Sequence, residues 1–157
     1  MTSTTSTVQD HLDIVQLHHR YAWSLDHRDW AMLEDCFVPD GEVDYGALGG
    51  QLKGAAAIAE FCRQVLAGLD ASQHLIGNTM VDVDGDRSTA TCYFQAQHVF
   101  VSDNGANTYI VAGTYTDELV RSDGTWRIAR RVLTPMWRDG NPNVFAEAAA
   151  RSAAASP

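Results

Sequence analysis

Residues 88–101 read Ser88-Thr-Ala-Thr-Cys-Tyr-Phe-Gln-Ala-Gln-His-Val-Phe-Val101. Polar and apolar side chains alternate along most of that length, and β-branched and aromatic residues fill it, which is the pattern of a long half-buried strand. Three further runs surround it. Ser72 to Val83 reads as a strand ending at Asp84-Gly85-Asp86. Asn107 to Val120 follows Asp103-Asn104-Gly105, and Thr125 to Thr134 follows Ser122-Asp123-Gly124. Short Asp/Asn-Gly connections are hairpin signals. Four long antiparallel strands joined this way twist and cannot stay flat. Helices placed before them can fill the concave side. The expected class is therefore α+β: a cone-shaped, curved antiparallel sheet, laid out as a long meander, packed on N-terminal helices and enclosing a pocket.

The helices come first in the chain. Ile14, Leu17, Tyr21 and Leu25 recur at helical spacing, with Val15, Ala22 and His18 in neighbouring rows. A first helix is expected from about Val8 to His27, with Thr7 as its N-cap. Asp29 caps a short second helix, Trp30 to Cys36. Val38-Pro-Asp-Gly41 reads as a turn, Glu42 to Tyr45 as a short strand, Gly46 to Gly50 as a loop, and Gln51 to Lys53 as a brief extended return. A third helix, about Ala55 to Leu69, sets Ile58, Phe61, Cys62, Val65 and Leu69 on one side. The Ser/Thr-rich residues 1–7 are expected to be flexible, residues 8–140 to form the domain, and residues 141–157 to be an Ala-rich tail with a short helix.

Composition excludes several classes. The chain has 157 residues, 45% apolar and 20% charged, ordinary for one globular domain. Its formal charge of −9 argues against nucleic acid or an anionic membrane as partner, since both need a basic footprint. No apolar run reaches the roughly 18 residues of a membrane span. The opening MTSTTSTVQD lacks the basic and apolar regions of a secretory leader. Cys36, Cys62 and Cys92 are odd in number and widely spaced, which fits reduced cytoplasmic thiols better than a disulfide framework. His18, His19 and His27 crowd one helix without a third metal ligand, so they read as surface or interface and no metal is expected. Arg130 and Arg131 adjoin in one strand, so one faces out; a subunit-interface salt bridge is the simple reading.

Asp26 borders the apolar stripe of the first helix, directly after Leu25. A carboxylate facing a core needs a partner or a purpose, because burying it alone is costly. Here the order of several short motifs carries a resemblance. Tyr21 with Asp26, Val43-Asp-Tyr45, Ser72-Gln-His-Leu-Ile-Gly-Asn78, Gln97-His98 and Asp123-Gly-Thr-Trp-Arg-Ile128 resemble the SnoaL-like branch of the nuclear transport factor 2-like (cone) superfamily. The pattern is most similar to scytalone dehydratase, bile-acid 7α-dehydratase and hexachlorocyclohexane dehydrochlorinase, over roughly residues 8 to 140. The resemblance implies a homotrimer, with a homodimer as the alternative, and a mechanism that needs no cofactor. It also implies an Asp–His dyad in an apolar cone, acting on a small molecule. The fold hosts many activities and proves none of them.

Carried over residue by residue, Asp26 and His74 match the dyad. A carboxylate held against one imidazole nitrogen fixes the tautomer and supports the imidazolium formed when the other nitrogen takes a proton. Tyr45 matches a tyrosine that in scytalone dehydratase holds a water or polarises a substrate carbonyl. His98 matches a second histidine of that enzyme, although the residues themselves leave open which face of the strand it takes. Tyr21 matches a tyrosine acid of the bile-acid enzyme, and Arg138 lies near a C-terminal arginine of it. Two departures point to a different substrate. Leu25 stands where scytalone dehydratase has a tyrosine before its dyad acid, and Tyr115 is nearest to its polarising asparagine.

The expected substrate-binding residues are Trp23, Leu25, Phe61, Phe94, Tyr115, Met136 and Arg138. Trp30 and Trp126 read as packing, and Tyr21 and Tyr45 have core aromatics as their bland alternative. The implied activity is a lyase, a dehydratase or dehydrohalogenase removing a proton from carbon beside an electron-withdrawing group. The same dyad would serve isomerisation or polyketide ring closure, and a non-catalytic binding module is the alternative outside enzymes. Epoxide hydrolysis, as in limonene epoxide hydrolase of the same fold, wants an Asp-Arg-Asp arrangement around a water, which Asp26, Arg28 and Asp29 do not obviously make.

Overall fold

The computed structural model describes residues 4–103 and 105–155. Helix α1 (Thr4–His27) leads into α2 (Trp30–Asp35), strand β1 (Phe37–Asp44), a single helical turn at Gly46–Leu48, β2 (Gln51–Lys53) and α3 (Ala55–Leu66). The long strands β3 (Ala71–Asp84), β4 (Arg87–Ser102), β5 (Gly105–Ser122) and β6 (Thr125–Gly140) follow, then α4 (Val144–Ala155). The six strands form one curved, unclosed sheet in the order β2-β1-β6-β5-β4-β3. Helices cover its concave face, which is the cone fold expected. None of the described helices is long and apolar enough to cross a membrane.

Local chemistry explains the elements. In β4 the even positions Ala90, Cys92, Phe94, Ala96, His98 and Phe100 are all buried, as the period-2 pleat requires. Asp123 and Gly124, the two-residue loop between β5 and β6, both have positive φ, 52° and 74°, the geometry of a type I′ hairpin turn. The Asp29 carboxylate caps α2 by accepting from Met32 N at 3.0 Å. Ile14, Leu17, Tyr21 and Leu25 of α1 and Ile58, Cys62 and Leu66 of α3 close the core from the other side. Each fully buried side chain of this size contributes about 1.5–3 kcal/mol.

The structure corrects the reading in several places. Helix α1 begins at Thr4, so Thr7 lies inside it rather than capping it, and residues 4–7 are helical; residues 1–3 lie outside the described residues. Val38-Pro-Asp-Gly41 is not a turn but part of β1, where register against β6 jumps from Phe37↔Ile128 to Glu42↔Arg130. Pro39 has no N–H to give a ladder, so it sits where pairing lapses. β1 runs parallel to β6, so the sheet is a meander of four strands extended by a returning pair. Leu69 falls beyond α3. β6 continues past Thr134 to Gly140, with register shifts opposite Glu118/Leu119 and Ala112/Gly113. The Ala-rich tail folds back as α4, whose Ala148 carbonyl lies so close to Gly68 that a Cβ there would sit 2.1 Å from it.

Candidate active site

The concave side of the sheet, α1, α3 and α4 enclose a cavity of about 320 Å³. Tyr21, Leu25, Tyr45, Phe61, His74, Phe94, His98 and Tyr115 all line it. Eight of the twelve expected site residues thus meet in one place. Asp26 stands behind them, against His74, on the side facing an outer groove.

Asp26 comes from the last turn of α1 and His74 from the start of β3, 48 residues apart in sequence. His74 Nδ1 and Asp26 Oδ1 are 2.6 Å apart. The second carboxylate oxygen accepts the His74 backbone N–H at 2.8 Å, and Ser72 Oγ donates to Oδ1 at 3.1 Å. Arg28, left-handed with φ 59°, donates in turn to Ser72 Oγ at 2.7 Å. Burial alone would push the Asp26 carboxyl up, but the hydrogen bonds and charge of His74 and the Ser72 hydroxyl outweigh it and hold the carboxyl below its ordinary range. An ionised carboxylate can only accept, so Nδ1 carries a proton, and in the neutral imidazole Nε2 is the nitrogen with the lone pair. Nε2 has no partner among the described residues, and His74 lines the cavity.

His98 faces inward, which settles the parity that the residues left open. It stands opposite Ser72 in the β3–β4 pairing, so its ring meets that of His74 edge-on at 5.8 Å. His98 Nδ1 lies 3.1 Å from the Tyr109 carbonyl, which can only accept, so this imidazole too presents a bare Nε2. Burial first, then the neighbouring His74, holds its pKa down to about 4. At neutral pH His98 is therefore uncharged and accepts at Nε2.

At the floor, the hydroxyls of Tyr21 and Tyr45 are 3.0 Å apart, with Cys62 Sγ 3.8 Å from Tyr45 Oη. Burial pushes Tyr21 up to about 12 and Tyr45 well above its ordinary value. Both stay protonated and can donate. Phe94 stacks on Tyr115 at 4.5 Å, and Phe61 on Tyr45 at 5.8 Å.

Three expected walls are elsewhere. Trp23 is 59% exposed and stacks on His27 outside, because position 23 falls on the solvent side of α1. Met136 is 63% exposed; the β5 register passes from Trp137 to Pro135 and leaves it unpaired at a bulge. Arg138 lies in the exposed last stretch of β6, residues 136–140. His18 is not a surface residue: it is buried and its Nε2 lies 2.8 Å from Asp117. Arg131 is not at an interface either; the register shift at Glu118/Leu119 turns it inward, onto Asp117. Arg130 is the outward one, 3.7 Å from Glu118. Trp126 packs as expected, with Nε1 donating to Asp10 at 3.0 Å.

Several lining residues were not foreseen. Phe145, from α4, closes on His98 at 4.7 Å, and Leu133 and Val65 also face the cavity. Phe145 follows a helix start signalled by Asn141-Pro142-Asn143, but nothing local says that the helix returns to the cone. The three cysteines are free and buried.

An α+β cone carrying an imidazole–carboxylate pair on an apolar cavity defines the class of protein. The chain belongs to the SnoaL-like domain family, within the nuclear transport factor 2-like superfamily; the family's model matches residues 6–132. An uncharacterized protein of Mycobacterium tuberculosis is 35% identical over 128 residues, spanning 81% of this chain and 86% of its own. A candidate scytalone dehydratase from Novosphingobium aromaticivorans superposes with TM-score 0.79 at 22% identity, covering 88% of this chain and 92% of that one. A type 2 hexachlorocyclohexane dehydrochlorinase does so with TM-score 0.79 at 19% identity, covering 88% and 93%. At these identities the two solved structures share the fold.

Proposed function

We propose that the protein is a lyase, working without a cofactor by β-elimination on a small, apolar, cyclic substrate. The observation that carries this is the 2.6 Å contact of His74 Nδ1 with Asp26, with Nε2 left bare on a cavity. His74 Nε2 takes a proton from carbon next to an electron-withdrawing group, and the adjacent carboxylate stabilises the imidazolium. Electrons of that C–H bond move toward the carbonyl and then expel the leaving group. Where the leaving group is hydroxide, the imidazolium returns the proton to it. His98 Nε2, an acceptor at neutral pH, orients a substrate hydroxyl. Tyr45 and Tyr21 donate toward the enolate oxygen. The lining residues include no Asp, Glu, Lys or Arg, which favours a neutral substrate, since a charged one would be buried without a counter-ion. The dehydratase and dehydrochlorinase among the structures of this fold support the same reading.

The test is exchange of the acidic C–H protons of a bound cyclic ketone for deuterium, followed by NMR. A positioned base contributes on the order of 10²–10⁴-fold. His74→Ala should lose that much while its circular dichroism stays native; unchanged exchange would end the proposal. Isomerisation and polyketide ring closure begin with the same proton removal, and product analysis separates them. Binding of the ketone without exchange would favour a non-catalytic module. A cytoplasmic homotrimer belongs to the same proposal. Leu75, Met80 and Tyr93, exposed on the outer side of the sheet, are its support, and light scattering gives the mass that decides it.

A further inference from the structure

Beneath the cavity floor lies a charged cluster that the dyad does not use. The side chains of His18, Asp117 and Arg131 have no solvent exposure. Arg131 donates to Asp117 twice, from Nε at 2.8 Å and from Nη2 at 2.6 Å, and Asp117 also holds His18. The carboxylate thus occupies one edge of the guanidinium. Nη1, on the other edge, is buried with no hydrogen-bond partner among the described residues. Two rings lie against it, edge-to-face with each other: the Tyr21 and Tyr115 ring centroids are each 4.1 Å from the guanidinium carbon. Both rings also line the cavity, so a cation sits one layer below its floor, and the Tyr21 hydroxyl it backs is the one paired with Tyr45.

A buried ion pair adds little stability over well-packed apolar residues, and this one leaves a donor unused. A cation against a ring face, unscreened in a low-dielectric interior, draws density from that ring and makes its hydroxyl a stronger donor. With the Cys62 thiol donating to Tyr45 Oη and Tyr45 donating to Tyr21, the Tyr21 hydrogen remains for a ligand.

We infer that Arg131, acting through the Tyr21 ring, is the positioning residue that biases the Tyr21–Tyr45 hydroxyl pair toward the anionic form of a bound planar ring, an enolate or a phenolate. This rests on the enolate chemistry proposed above and names where the charge goes. Asp117 and His18 hold Arg131 in place.

The probes are 4-nitrophenol, whose ionisation is read by absorbance, and nitrobenzene as the uncharged control. Arg131→Met alone would strand Asp117 as an unpaired buried carboxylate, so it is combined with Asp117→Asn. Tyr21→Phe, which keeps the ring, decides the matter if that double variant does not fold. The ratio of phenolate to phenol affinity should fall roughly tenfold in both, the order expected of a partly compensated charge one layer away, with nitrobenzene affinity unchanged. Arg131→Lys should retain most of the ratio. An unchanged ratio in Tyr21→Phe, or equal loss of phenolate and nitrobenzene, overturns the inference. His74→Ala should keep the ratio, and its loss there would place the anion at the dyad and overturn the inference. A wild-type protein that shows the ratio but exchanges no ketone protons would sink the dyad proposal alone.

Discussion

Asp26→Asn is the substitution that reaches furthest into the proposed chemistry. The carboxylate accepts three hydrogen bonds, from the His74 ring at 2.6 Å, the His74 backbone at 2.8 Å and Ser72 at 3.1 Å. Asparagine fills the same volume and its carbonyl can keep the backbone bond. Its amide then points an N–H at His74 Nδ1, which must give up its proton and accept. The imidazole switches tautomer and Nε2, now protonated, can no longer act as a base. Loss of the correct tautomer in a comparable histidine–carboxylate pair costs about 10⁴-fold, and a similar loss of ketone exchange is expected here.

Stability gives a second readout of the same variant. The Asp26 carboxyl is held below its ordinary range, so in the wild type its contribution is complete above the unfolded carboxylate pKa of about 4. It is lost as pH falls through the lower folded value. Denaturant midpoints of wild type and Asp26→Asn should differ at pH 7 and converge as pH falls below the lowered pKa of the folded carboxyl. Exchange rates within threefold of wild type would refute the tautomer argument, whatever the midpoints show.

Two other outcomes follow from the geometry. Burial lowers the His18 pKa below 6.5 against the pull of Asp117, so unfolding takes up a proton below that pH; folding stability should be full above 6.5 and decline as pH drops, and His18→Gln should flatten that decline in denaturant titrations between pH 5 and 7. Phe145→Ala removes a half-buried ring over His98 and Tyr109, which should cost about 1–2 kcal/mol, less than the 3–5 of a fully buried Phe, while improving the affinity of bulkier cyclic ketones by calorimetry; tighter binding of the small ones instead would refute the placement of Phe145 on the cavity wall.

Much of the molecule is legible because its signals are local. Alternation over Ser88 to Val101 makes a strand wherever it sits, Asp123-Gly124 makes a two-residue turn from backbone sterics alone, and the Ile14-Leu17-Tyr21-Leu25 stripe makes one helix face. Those features suffice for an α+β cone. The resemblance named Asp26, His74, His98, Tyr45 and Tyr21, and the fold brings the four aromatic and imidazole side chains around one cavity with Asp26 behind.

What failed to be legible depends on partners far away in the chain. The two register shifts along β6 exist only against β5, and they decide that Arg131 faces in and Met136 faces out, which no period read along β6 can reveal. Trp23 is apolar by composition yet lies on the solvent side of α1, because rotation about the helix axis is fixed by what the sheet offers, not by the residue. The return of α4 over His98 and the burial of His18 on Asp117 are likewise set by packing. The sequence by itself determined the elements and the chemistry available to them. Only the tertiary structure decided which side chains share a cavity and which polar groups are stripped of water, because facing and desolvation are properties of the assembled layers.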